Sequence, residues 1–131
     1  MKKFINSYLD KSKQLLDSAI EKYSDDLIKI TEKFKKTSKK DGKVILLGNG
    51  GSAATSSHVS VDLTKNAKIR SINFNEADLI TCFSNDFGYQ DWMKKSLEFY
   101  LDKKDIVILI STSGKSANVI NAAKLLKKKY Q

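Results

Sequence analysis

The chain has 131 residues, enough for one domain with its own core and too few for two. With 40% apolar residues, a single cysteine (Cys82) and no apolar run near the roughly 20 residues of a membrane span, a cytoplasmic protein without signal peptide or internal disulfide is expected. The net charge of +9 rests on lysine, with Arg70 as the one arginine; phosphate and base readout favour the planar arginine fork, so solvated lysine faces are expected and nucleic-acid binding is set aside.

Residues 3–23 place Phe4, Tyr8, Leu15, Ala19 and Tyr23 close to a helical period, with Leu9, Leu16 and Ile20 widening the apolar stripe. Ser24-Asp25-Asp26 reads as a cap-like interruption. A second amphipathic stretch carries Leu27, Ile30 and Phe34 and ends in Lys39-Lys40-Asp41-Gly42. Residues 1–42 are therefore expected to form a helical hairpin or a broken long helix, packed on a sheet or on a partner helix in an oligomer.

From Lys43 the pattern alternates between strands and helices. The expected elements are a strand at 43–47, a loop at 48–51, a helix at about 52–65 and a short strand near Arg70–Phe74. Helical stretches across 76–84 and 89–101, a strand at 105–110, a Ser/Thr/Gly loop and a helix at about 116–129 follow. Alternation of this kind means an α/β domain, 43–131, with a parallel sheet whose ligands sit at the carboxyl ends of the strands. Three strands leave a long exposed edge, so the last strands are expected to be missing, through truncation or completion by a partner.

Two segments share one design: VILLGNGGS (44–52) and IVILISTSGKS (106–116). Each is an apolar run that breaks into a Gly/Ser loop and enters a helical pattern. Helix N-termini expose unpaired N–H groups and partial positive charge, which attract phosphate. A serine before a helix is equally an ordinary cap, so the functional reading rests on the design being repeated. Gly48 to Ala53 also satisfies the loose dinucleotide fingerprint, with Glu76 further on, although some 40 helical residues precede its strand. Ser113-Gly114-Lys115-Ser116 imitates the end of a Walker A loop, but Leu109 stands where its first glycine is needed. His58 and Asp62 share a helix face, able to bind a metal or act on a substrate, or simply to pair. Asn85-Asp86 forms a polar break that reads as a turn or as a pair of contacts for sugar hydroxyls.

GNGGSAA (48–54), His58, SNDFGY (84–89) and ISTSGKSANVINAA (110–123) together resemble the SIS (sugar isomerase) domain family, and within it the phosphoheptose isomerases. The resemblance covers nearly the whole chain. It implies a three-layer domain with a parallel sheet of flavodoxin-like order behind N-terminal helices, assembled as a homotetramer with sites between subunits. The implied reaction converts sedoheptulose 7-phosphate to a heptose 7-phosphate for bacterial surface polysaccharide. Ser52, Ser111, Thr112, Ser113 and Ser116 would hold the phosphate, and Asn49, Gly50, Asn85 and Asp86 would contact the rest of the substrate. His58 and Asp62 would ligate zinc, where the family carries it.

Two departures follow from the same comparison. Asp62 stands where the family has its catalytic Glu, one methylene longer, and Asn66 replaces a basic residue. The family's catalytic His and a metal-ligating Gln fall in a region beyond Gln131. The chain is thus expected to be an N-terminal portion or a truncated paralogue: an isomerase with Asp62 as base, or a non-catalytic phosphosugar- or partner-binding protein.

Overall fold

The computed structural model describes residues 1–129. Eight elements follow in order: α1 (Lys2–Lys39), β1 (Val44–Gly48), α2 (Gly51–Lys65), β2 (Ser71–Asn73), α3 (Ala77–Phe87), α4 (Trp92–Tyr100), β3 (Ile106–Ile110) and α5 (Ala117–Lys129). No helix among the described residues is long and apolar enough to cross a membrane. Two compact units, Met1–Lys33 and Phe34–Gln131, are distinguished along the chain.

The expected hairpin or broken helix does not form: α1 is one uninterrupted helix of 38 residues. Ser24 does not cap a new helix. Its hydroxyl donates to the carbonyl of Ile20 one turn back, a bond a mid-helix serine makes without leaving the helix. Asp26 pairs with Lys29 at 3.2 Å on the same surface. No glycine or proline occurs before Gly42, so nothing in the backbone ends the helix earlier. The stop comes where Asp41 takes a positive φ of 55° and the Gly42 N–H donates to the Thr37 carbonyl at 2.9 Å. Phe4, Tyr8, Leu15, Leu16, Ile20, Tyr23 and Leu27 all lie exposed along this helix.

In the second unit the three strands are parallel in the order β2-β1-β3, with a mixed helical cover, as an α/β chain of this pattern requires. The sequence alternation therefore gave the right fold class and the right elements, with ends shifted by one to three residues. β1 is central and its five residues are all buried, which is why it reads as an unbroken apolar run. Ile45 and Leu47 join Phe74, Trp92, Met93, Leu97, Val119 and Ala122 in one core. β3 is an edge strand and all five of its residues are only half-buried.

The amino ends of β1 and β3 are tied by charge. Lys43 donates its backbone N–H to Asp105 Oδ1 at 2.9 Å and its Nζ to Asp105 Oδ2 at 2.6 Å. Burial pushes the Asp105 carboxyl up, but the Lys43 bonds and the Asp102 N–H outweigh it and hold it below the usual range. Burial likewise works against the Lys43 ammonium, and its bonds to Asp105 and Asp102 raise it above the ordinary lysine value.

Candidate functional site

Strands β1 and β3 run side by side in register, with Gly48 opposite Ile110. The loops that leave their carboxyl ends therefore emerge together. Glycine is required at the first exit for two separate reasons. A Cβ on Gly48 would lie 2.7 Å from the backbone of Ser52, so only a bare backbone lets the first turn of α2 close onto the strand. Gly50, with φ 53° and ψ −122°, occupies a conformation that side-chain-bearing residues avoid. The sharp turn lets α2 begin at Gly51, three residues after the strand.

Between the two loops lies a chamber of about 190 Å³ lined by Asn49, Ser52, Ile110, Ser111, Thr112, Ser113 and Ser116. Six of these seven residues bring a hydroxyl or an amide, and none brings a charge. The Ser111 hydroxyl accepts the Gly114 N–H at 3.1 Å, and the Ser113 hydroxyl accepts the Lys115 N–H at 3.2 Å. A hydroxyl that accepts from the backbone keeps its own hydrogen for another acceptor. The chamber is thus suited to an anion held by neutral donors and by the N-terminal ends of α2 and α5. A second chamber of about 370 Å³, lined by Asn49, Tyr89, Gln90, Ser116, Ala117 and Asn118, shares Asn49 and Ser116 with the first.

Of the residues singled out in the sequence, Asn49, Ser52, Ser111, Thr112, Ser113 and Ser116 come together around the small chamber. Gly50 shapes the turn but does not line it. Asn85 and Asp86 line neither chamber. Helix α3 runs on to Phe87 instead of ending near residue 84, so both stand in its last turn, where Asn85 Nδ2 donates to Asp86 Oδ1 at 3.0 Å. Tyr89, three residues after Asp86 in the same motif, lines the larger chamber instead.

His58 and Asp62 also lie outside both chambers, on the exposed surface of α2. His58 Nε2 and Asp62 Oδ2 are 3.4 Å apart, with side chains 81% and 51% exposed. Asn66 Nδ2 donates to Asp62 Oδ1 at 3.0 Å. Two donors fall short of the three or four protein ligands that hold zinc, and no group of three or more His, Cys, Asp or Glu fit for a metal occurs among the described residues. Among the described residues, His58 and Asp62 would supply two of the ligands that a zinc ion takes.

Sequence reading missed Asn118. It is 2% exposed, and its amide exchanges two bonds with that of Asn49: Asn49 Nδ2 to Asn118 Oδ1 at 2.9 Å, and Asn118 Nδ2 to Asn49 Oδ1 at 3.0 Å. An asparagine in the first turn of a helix looks like an ordinary capping residue. Its partner is 69 positions away, and no local pattern announces it.

A SIS domain model matches residues 7–129. The phosphoheptose isomerase of Cytophaga hutchinsonii is 34% identical over 132 aligned positions, covering 95% of this chain and 69% of that protein. That of Aliarcobacter butzleri is 34% identical, covering 86% of this chain and 62% of the relative. Among solved structures, a phosphoheptose isomerase from Neisseria gonorrhoeae superposes with a TM-score of 0.89 at 26% identity, over 97% of this chain and 69% of that one. One from Francisella tularensis gives 0.90 at 23% identity, which speaks for the fold alone. The chain spans about 62 to 69% of the length of these relatives.

Proposed function

This chain belongs to the SIS domain family, and from that premise we propose that it is the phosphosugar-holding part of an aldose–ketose isomerase of the phosphoheptose type, acting on sedoheptulose 7-phosphate. The observation that carries the reading is the small chamber at two adjacent helix N-termini, where hydroxyl donors converge with no cationic side chain. A phosphate monoester fits this environment; the neighbouring chamber would take the carbon chain. Ser52, Ser111, Thr112, Ser113 and Ser116 hold the phosphate, and Asn49 reaches the sugar.

The isomerisation moves a proton between C1 and C2 through an enediol, which needs a base at carbon and an acid at oxygen. Asp62 is the base in this reading. It lies ten residues along α2 from Ser52, about 15 Å at 1.5 Å per residue. That separation supports a site completed by a second copy, whose Asp62 approaches the sugar from outside the chamber, in a homotetramer. Asn85 and Asp86, exposed at the end of α3, belong to the same shared arrangement. Zinc enters this reading only through His58 and Asp62, and no step runs through it. A free exposed cysteine and a phosphorylated substrate fit a cytoplasmic location.

The decisive experiment titrates the chain with sedoheptulose 7-phosphate by calorimetry and follows aldose formation in the same sample. Saturable binding with turnover supports the isomerase, and turnover that survives Asp62→Asn removes Asp62 as the base. Binding without turnover selects the second reading, a non-catalytic phosphosugar-binding protein, which the engagement of Asp62 by His58 and Asn66 favours. No binding at all defeats both.

A further inference from the structure

We infer that Asn118 is a positioning residue, which sets the Asn49 side chain so that its amide nitrogen, and not its oxygen, is offered to a ligand oxygen where the two chambers meet. The inference deepens the phosphosugar reading and rests on it.

An amide side chain turned by half a rotation keeps its shape and exchanges donor for acceptor. A reciprocal pair of amides does not fix its own sense, because turning both together preserves both bonds. Here a third group decides. The backbone N–H of Val119 donates to Asn118 Oδ1 at 2.9 Å, and a backbone N–H can only donate. It belongs to the first turn of α5, where N–H groups have no carbonyl within the helix to bond. The oxygen of Asn118 is therefore held toward Val119, and the same oxygen receives Asn49 Nδ2 at 2.9 Å.

The sense then passes to Asn49. Its Oδ1 accepts Asn118 Nδ2 at 3.0 Å and has the Tyr89 hydroxyl 3.4 Å away, so its two lone pairs both face donors. Its nitrogen has one hydrogen committed to Asn118, and the other meets no acceptor among the described residues. Turning Asn49 over would bring oxygen against the Asn118 oxygen and nitrogen against its nitrogen, in a pair that is half-buried on one side and 2% exposed on the other. Buried like-to-like contacts of this kind leave unsatisfied groups that folding does not tolerate cheaply.

Asn49 and Ser116 are the residues the two chambers share. The uncommitted hydrogen consequently serves an acceptor at their junction: a hydroxyl or carbonyl oxygen on the carbon chain beside the phosphate. Inorganic phosphate, which fills only the small chamber, does not depend on it to the same degree.

The test compares sedoheptulose 7-phosphate with inorganic phosphate on the full chain, wild type and two variants, by calorimetry. Asn118→Leu is close in size and removes the relay. Asn118→Asp keeps an oxygen for Val119 N–H but sets a second oxygen where Nδ2 met Asn49 Oδ1, so it no longer fixes the sense of Asn49; its added charge weakens both anions alike, and the ratio of affinities is the readout. The expected ratio falls about tenfold in Asn118→Leu, the worth of one well-placed hydrogen bond, and falls in the same direction in Asn118→Asp. An unchanged ratio in Asn118→Leu overturns the inference. Should that variant not fold, hydrogen exchange of the Asn49 side-chain amide in the wild type decides. One of its two hydrogens is expected to be protected and the other free, and equal exchange of the two overturns the inference. A wild type that binds sedoheptulose 7-phosphate no better than phosphate defeats the proposed function, while the exchange asymmetry still judges the role of Asn118.

Discussion

The two strand–loop–helix units at the site look alike in sequence and differ in how they contribute. The first leaves a fully buried central strand through glycines, and its part is geometric: Gly48 lets α2 approach, and Gly50 makes the turn. The second leaves a half-buried edge strand through serines whose hydroxyls bond the loop's own backbone. One unit therefore stands on packing that the core cannot give up, the other on surface bonds that water can replace. The difference teaches that side chains able to hold an anion are placed where loss is tolerable for the fold, while the backbone that aligns them is not.

If that division holds, the largest effect comes from Gly48→Val. The new side chain would collide with the backbone of Ser52 at a position buried on all sides, and something in the central strand or in α2 must shift. Overpacking of this kind costs about 3 kcal/mol, and phosphosugar binding falls with it because α2 no longer closes on the loop. Thermal unfolding together with calorimetry checks both effects. Retained stability and retained binding would show that the first unit is as tolerant as the second.

Next in size is Asp105→Ala, at the opposite end of the same two strands. It leaves the Lys43 ammonium, whose side chain is 14% exposed, without its nearest partner. Removing one member of a mostly buried pair costs about 3 kcal/mol, with phosphate affinity unchanged because the chambers are a full strand away. The pH dependence has a definite sign at each limit. The carboxyl of Asp105 is held below its unfolded value, so its stabilisation is complete above that value, near 4, and is lost as pH falls through the lower folded one. Lys43 is raised, so its part is complete below the ordinary lysine value and is lost as pH rises through the higher folded one. Urea midpoints across pH 2–7, with the wild type losing its advantage over Asp105→Ala toward the acid end, check the assignment.

Much of this contrast was legible in the sequence. VILLG and IVILI read as strands because a parallel strand covered on both faces is apolar throughout, and the glycines and serines after them mark the loops. What escaped is of two kinds: local cues that a continuing helix overrides, and pairs that only the folded chain brings together. Ser24-Asp25-Asp26 has the composition of a cap, but α1 absorbs it with a backward bond to Ile20. Asn85 and Asp86 read as loop residues because α3 was expected to end at residue 84, and three further helical residues place both in its final turn. Lys43–Asp105 and Asn49–Asn118 join residues 62 and 69 positions apart, and such pairs exist only after the strands have been set side by side.

A smaller effect is expected from Gly50→Ala. Nothing lies within 4 Å of the added methyl, so the cost is conformational alone, from the positive φ, and amounts to about 1–2 kcal/mol. Its measured value, set beside that of Gly48→Val, separates the two reasons for glycine in the first loop. A Gly50→Ala loss equal to that of Gly48→Val would mean that turn strain, and not close approach, dominates there.

The smallest effect on stability sharpens the comparison most. Ser113→Ala removes a hydroxyl that accepts the Lys115 N–H at 3.2 Å on an exposed loop. Water can take over that N–H, so the change in stability should stay within about 0.5 kcal/mol, as for other surface substitutions. The anion cannot replace the lost donor so easily, because the chamber holds no cation to compensate. Affinity for inorganic phosphate is expected to fall about fivefold to tenfold, one neutral hydrogen bond's worth. Ser111→Ala, which releases the Gly114 N–H in the same way, should match it. If either variant unfolds more readily than Gly50→Ala while keeping its phosphate affinity, the serines are structural, and the anion site must lie on the glycine side of the cleft.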